Sequence, residues 1–305
     1  MKEKNDIILF DKVVDLYNSL NITMEQDSEF SMNSLLELHN KIPYKSPVFR
    51  TNYYSFVFIK NGKGNYTTDE QTFEYDSSVL YFTNPGHLKA FEFWELKEAY
   101  LITFSETFLK ENIHQNIFED FPFLLAETVP PQPLTGNEFQ ELEILYLQIL
   151  KEYQSKSIYK NKIIASLLVV LLLKIKSQFW ANYQPREEGN RSSQIVKKFK
   201  QALEQHYKDL SNSKIELLHQ PQDYANMQNL NASYLSQVIK SKTGKSISHW
   251  IADKTIGQAK ALLLHSSKPV KEIAFQLGFS ETAHFSNYFK KHTRKTPTSF
   301  KKLDQ

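Results

Sequence analysis

The sequence predicts an α+β protein in three parts: a small β barrel, a helical hairpin, and an all-α C-terminal domain with two helix-turn-helix units joined by a long helix. Three observations point there. Short aromatic and β-branched segments crowd the first third, apolar residues fall at spacings of three and four from Asn137 onward, and one helix-turn-helix pattern occurs twice after Gln222. At 305 residues the chain exceeds a typical single domain. The expected division is a β domain over 1–135, a hairpin over 136–183, a linker over 184–193 and the double helix-turn-helix domain over 194–305.

DKVVDLYNSL, near the N-terminus, suits a helix packed outside the barrel. VFRTNYYSFVF, 48–58, suits a strand, and NGKG at 61–64 is a strong turn signal. Further strands are expected at Gly64–Thr68, Gln71–Tyr75, Val79–Phe82, Lys89–Trp94 and Ala99–Phe104, separated by DSS, NPG and ELKE. Many short strands at this spacing indicate a barrel or sandwich, not a parallel α/β sheet.

Leu142, Leu145, Ile149 and Tyr153 mark an amphipathic helix beginning at Asn137, and a second is expected over 158–183. IIASLLVVLLL, 163–173, is too short to cross a bilayer, which takes about 20 helical residues. A helix apolar nearly all round must be covered nearly all round. Its cover is either the β domain or a second copy of the chain, so a homodimer is expected through this hairpin or through the barrel. QPREEGNRSS, 184–193, has no apolar periodicity and reads as the linker; Ile195, Val196, Phe199, Leu203 and Tyr207 then place a helix ahead of the last domain.

Composition narrows the function. The absence of cysteine excludes disulfides, thiolate-held zinc and cysteine nucleophiles. MKEKNDIILFDKVVD has no signal-peptide core, so a cytoplasmic protein without a membrane partner is expected. From Gln222 onward there are 13 Lys and Arg against 5 Asp and Glu, whereas the preceding residues carry 24 against 29. A polyanion should therefore bind the last quarter.

That quarter contains an internal repeat. QDYANMQNLNASYLSQVIKSKTGKSISHW, 222–250, matches VKEIAFQLGFSETAHFSNYFKKHTRKTP, 270–297, and the residues after it. Ala225 pairs with Ala274 and Leu230 with Phe279; after one extra residue in the second copy, Leu235 pairs with Phe285 and Ile239 with Phe289. Lys240, Thr243, Lys245 and Trp250 then match Lys290, Thr293, Lys295 and Phe300. The alanines allow two helices to cross closely. Gly278, and Asn229 in the first copy, tolerate the positive φ of a sharp turn, and Asn231 and Ser280 suit the caps of the following helices. The opposite face of each second helix is short and polar, with Ser233, Ser236 and Gln237 in one copy and Thr282, Ser286 and Asn287 in the other. Such side chains can bond base edges in a major groove. Lysines at 240, 242, 245, 290, 291 and 295, with Arg294, suit phosphate contact. ISHWIADKTIGQAKALLLHSS supplies the long helix between the units, with Ile251, Ala259, Leu262 and Leu263 toward a core.

On these residues the stretch 190–303 resembles the AraC/XylS family of bacterial transcription regulators. The resemblance implies sequence-specific binding of double-stranded DNA, with RNA polymerase as a further partner where the protein is an activator. It places Ser233, Ser236 and Gln237 on the first recognition helix and Glu281, Thr282, Ser286 and Asn287 on the second, with Lys240, Lys290 and Lys291 beside them. Three positions depart from the pattern: Thr255 and Asn287 stand where Arg is usual, and Arg294 where Gly is usual.

YYSFVFIKNGKGNY, the strand and NPGH pattern at 79–87, and YLITFSETFL resemble the cupin-like sensor domain of such regulators. That implies a small effector inside the barrel, lined by Tyr53, Phe56, Phe58, Tyr66, Phe82, Phe91, Phe93 and Phe104. The alternative is a ligand-independent DNA-binding protein whose barrel serves only folding or dimerisation. His87 and Glu92 do not form a chelating set, and Lys89 stands where such sensors often have His, so neither metal nor other cofactor is expected. His39, His87, Glu92 and Glu95 have no spacing that demands acid–base chemistry, and His39 reads as a surface or barrel-mouth residue; no enzyme is expected.

Overall fold

The computed structural model describes residues 7–22, 24, 28–39, 41–69, 71–113, 120–125, 130–180 and 191–302. The chain divides into two compact units, one of 1–109 with 119–185 and one of 110–118 with 186–305. The expected linker falls mostly outside the described residues; its last three, 191–193, belong to a helix.

The first unit is a nine-stranded sheet with helices packed on it. The strands are β1 (Ile8–Phe10), β2 (Phe30–Ser34), β3 (Tyr44–Lys45), β4 (Phe49–Thr51), β5 (Tyr54–Thr68), β6 (Gln71–Asp76), β7 (Val79–Thr83), β8 (Leu88–Phe104) and β9 (Gln132–Pro133). Helix α1 (Val13–Ser19) buries Val13, Val14 and Tyr17, and α2 (Leu35–Leu38) and α3 (Glu106–Ile113) are short.

The sheet is open, which overturns the cupin-like barrel. Its path runs β1-β4-β8-β5-β7-β9, with β2 and β3 branching from β8 and β6 from β5. Among the described residues β1 pairs with β4, and β9 with β7, and the two ends do not pair with each other. Closure requires every strand to have two neighbours around the ring.

The two strongest internal turn signals do not reverse the chain. NGKG lies inside the 15-residue β5, and ELKE inside the 17-residue β8. They lie opposite each other, with Asn61 against Glu98, Gly62 against Leu96 and Lys63 against Glu95, and the register shifts there. A bulge in paired strands adds bend and twist without ending the pairing. Gly64 is needed at this point, because a Cβ would sit 2.1 Å from the Glu92 carbonyl oxygen. The bend divides the sheet in two: β5 pairs with β7 before it and with β6 after it, while β8 follows on the other side throughout.

Alternation along β5 sends Phe56 and Phe58 to one face and Val57 and Ile59 to the other. Phe58 stacks 4.5 Å from both Phe139 and Tyr146 of α4 (Gly136–Tyr153). Thr135 caps α4 by accepting the Glu138 amide, while Glu138 accepts the Thr135 amide. Helix α5 (Lys160–Phe179) turns Ile164, Ala165, Leu168, Leu171, Leu172 and Ile175 inward and leaves Ile163, Val170 and Leu173 exposed. Its apolar circumference is thus covered on one side within the chain. Among the described residues no helix is long and apolar enough to cross a membrane.

The second unit is helical. It comprises α6 (Arg191–Ser211), α7 (Pro221–Met227), α8 (Ala232–Thr243), α9 (Ile247–His265), α10 (Val270–Gln276), α11 (Thr282–Thr293) and α12 (Pro297–Lys301). It holds two cores: α6, α7 and α8 pack with Ile247 around Phe199, Tyr207, Tyr224 and Leu235, and α10 and α11 pack with Ala259 and Leu263 around Phe285 and Phe289. Helix α9 reaches from one core to the other.

Candidate nucleic-acid interface

The two helix-turn-helix units match down to single hydrogen bonds. Helix α7 ends before Asn229, at φ 52°, and α10 before Gly278, at φ 79°. A Cβ at Gly278 would stand 2.8 Å from the Leu218 backbone nitrogen, so glycine is required there by contact as well as by φ. At the far end, Thr243 Oγ1 donates to the Ile239 carbonyl and Thr293 Oγ1 to the Phe289 carbonyl, both at 2.8 Å. The next helix starts on Ser246 in one unit and Thr296 in the other, each accepting an amide three residues on.

The start of the second helix of the second unit differs from expectation. Asn231 caps α8 by accepting the Ser233 amide, but the cap of α11 is Glu281 and not Ser280, with no side-chain bond. The extra residue of the second copy is absorbed in the turn, because Phe285 and Phe289 must keep the phase that buries them. From the cap onward the units then align in a constant register: Ser233 with Ala283, Tyr234 with His284, Ser236 with Ser286, Gln237 with Asn287 and Lys240 with Lys290.

The two faces agree position by position. Ser233, Tyr234, Gln237 and Lys240 are exposed and Ser236 half-buried; Ala283, His284, Asn287 and Lys290 are exposed and Ser286 half-buried. Lys291 and Glu281 are also exposed, and Thr282 is half-buried. Residues 233, 234, 237 and 240 recur at three- and four-residue steps, one helical stripe. Polarity alone passes over Tyr234, Ala283 and His284; the constant register of the repeat points to them.

Arg294 closes α11 at φ 61°, where its repeat partner Gly244 has φ 77°. Thr255, at a position usual for Arg, is fully buried and hydrogen bonds with Tyr207.

The eight aromatic residues expected around an effector lie in two groups. Phe56, Phe58, Phe82 and Phe104 stack on one another or on the hairpin side, Phe56 lying 4.9 Å from Phe82 and 5.6 Å from Phe104. Tyr53, Tyr66, Phe91 and Phe93 belong to the other cluster, with Phe49 and Tyr81. His39 is not at the surface: it lies buried against Tyr44 at 4.2 Å and Phe91 at 5.4 Å, and burial lowers its pKa to about 4. His87 Nδ1 is 2.8 Å from Asp69, Glu92 pairs with Lys45, and Lys89 donates to Thr51 at 2.6 Å. Among the described residues no group of three His, Asp or Glu side chains is placed to hold a metal.

A helix-turn-helix domain family profile matches residues 224–303, the two units just described. The chain is similar to an uncharacterised helix-turn-helix-type transcriptional regulator, YdeC, of Bacillus subtilis, at 24% identity over 82% of this chain and 84% of that protein. It is also similar to the arabinose operon regulatory protein of Escherichia coli, at 28% identity over 52% of this chain and 50% of that one. The chain is a DNA-binding transcriptional regulator of the helix-turn-helix type, similar to regulators of the AraC/XylS kind. A solved structure of ToxT from Vibrio cholerae aligns over 90% of this chain and 98% of its own, at 15% identity and a TM-score of 0.35. The named relatives are regulators, in keeping with a chain that binds DNA and is not an enzyme.

Proposed function

We propose that this regulator reads a bipartite DNA site with α8 and α11 in successive major grooves. The observation that carries the reading is the matched exposed stripe on the two helices. Ser233, Ser236 and Gln237, and Glu281, Thr282, Ser286 and Asn287, are the base-reading candidates, with Tyr234 and His284 on the same faces. Lys240, Lys290 and Lys291 follow on the last turns and suit phosphate. The 19 residues of α9 span about 28 Å, close to the ~34 Å of one turn of DNA.

The first unit serves assembly in this reading. Ile163, Val170 and Leu173 on α5, and Ile144 and Leu147 on α4, are exposed apolar residues suited to burial against a second copy. The two packed aromatic clusters favour the ligand-independent alternative over effector capture. A thermal-shift screen of the full chain separates the two: no shift accords with assembly alone, and saturable stabilisation by one compound would reinstate effector control.

The deciding experiment is mapping of bound DNA across the genome, followed by binding assays on the recovered site. Gln237→Ala with Asn287→Ala should flatten sequence preference. Lys290→Ala with Lys291→Ala should weaken all sequences alike and lower the salt slope by about 0.9 for each phosphate no longer neutralised. If neither pair changes binding, α8 and α11 are not the reading helices.

A further inference from the structure

The two helix-turn-helix units place a lysine at the same point of the same turn and treat it differently. Lys245 and Lys295 follow the residue that closes the second helix, Gly244 at φ 77° and Arg294 at φ 61°. Each donates its backbone amide at 3.3 Å to the hydroxyl of the last helical threonine, Thr243 or Thr293. The backbone thus presents the two side chains alike, and only their partners differ.

In the first unit the ammonium is held. Lys245 Nζ lies 2.5 Å from Asp253 Oδ2 of α9 and 5.5 Å from the centre of the Trp250 ring, and its side chain is only 10% exposed. Trp250 is itself fixed, because its Nε1 donates to Thr243 Oγ1 at 3.1 Å. The other carboxylate oxygen of Asp253 stands 3.5 Å from His249 Nε2. In the second copy the same register sets Phe300 against Trp250, Ser299 against His249 and Leu303 against Asp253, so the sequence supplies no carboxylate at that position. Lys295 is exposed, and among the described residues it takes no ion-pair partner. Its neighbours widen the contrast: Lys291 and Arg294 are exposed where the first unit has Ser241 and Gly244.

A lysine that meets a phosphate must first leave its partner. Lys245 would give up a charge-assisted bond and a ring contact, and would leave the half-exposed Asp253 carboxylate facing the same phosphate. Taken together, the pair carries no net charge and has no counterion to release when DNA docks.

We infer that Asp253 withholds Lys245 from DNA, so that the second unit supplies most of the phosphate grip and the first acts chiefly through its reading face. The inference rests on the reading of DNA by α8 and α11 proposed above. Two lysines that the repeat makes equivalent then differ in what they contribute to affinity.

The test uses the full chain and a DNA site that it selects from random sequence, with affinity measured against salt concentration. Lys295→Met should lower the salt slope by about 0.9, which is one phosphate and roughly threefold in affinity between 50 and 200 mM salt. Lys245→Met, which keeps the stem over Trp250, should leave the slope unchanged. Asp253→Asn should raise the slope by about 0.9, and adding Lys245→Met to that variant should remove the gain. Equal losses from Lys245→Met and Lys295→Met overturn the inference. So does a gain from Asp253→Asn that persists without Lys245, since Asp253 would then act through its own charge alone. Should Lys245→Met not fold, Lys245→Gln, which can still donate to Asp253, decides by the same slope. If Lys290→Ala with Lys291→Ala leaves the slope untouched, the reading of DNA by α11 fails and this inference with it; if that pair lowers the slope while Lys245 and Lys295 prove equal, only this inference fails.

Discussion

His206 is buried in the first helical core, its ring 3.9 Å from that of His219, and its Nε2 accepts the His219 amide. Accepting requires that nitrogen to be unprotonated, and burial with the neighbouring His219 lowers the His206 pKa to about 4. His39 is lowered to about 4 by burial alone. Between the ordinary histidine value and these values the unfolded chain takes up protons that the folded chain refuses, so stability falls as pH falls. Each histidine should cost roughly 2 kcal/mol between pH 7 and pH 5. Urea denaturation at the two pH values measures it, and His206→Phe should remove part of the difference. Arg294 makes the opposite case, a residue held in a conformation that suits glycine. Left-handed backbone costs an L-residue about 1–2 kcal/mol. Arg294→Gly should therefore raise stability by about 1 kcal/mol while weakening DNA binding through the lost charge.

At the scale of elements, the helices were legible because their signals are local. The three- and four-residue spacing of Leu142, Leu145 and Ile149 announced α4, and the paired Leu235, Ile239 and Phe285, Phe289 announced α8 and α11. The strands were legible in composition but not in length. Gly62 and Gly64 look like a turn in a single chain; only the paired strand opposite converts them into a bend. Gly64→Ala should cost about 1–3 kcal/mol by overpacking against the Glu92 carbonyl, measured by thermal denaturation. A neutral outcome would mean that the two strands separate at the bend without penalty.

At the scale of the molecule, the apolar circumference of α5 demanded a cover, and the chain supplies only part of it. Ile163→Glu with Val170→Glu should leave the fold intact, since both side chains are exposed, and shift the sedimenting species from dimer to monomer. A wild-type chain that sediments as a monomer at micromolar concentration would remove the proposed strip from assembly. The same loss of dimer should weaken binding to operators that carry two copies of the site, by the effective-concentration advantage of a linked pair.

By itself the sequence determined that the last quarter is a basic, duplicated helix-turn-helix, because each signal there acts over a few residues of one helix. It could not determine that the β domain stays open, because closure depends on whether the first and last strands meet, and no local pattern reports on that. The buried bond between Thr255 and Tyr207 was equally out of reach: a threonine in a helix says nothing of a tyrosine 48 residues before it, which only the folded unit brings to its hydroxyl.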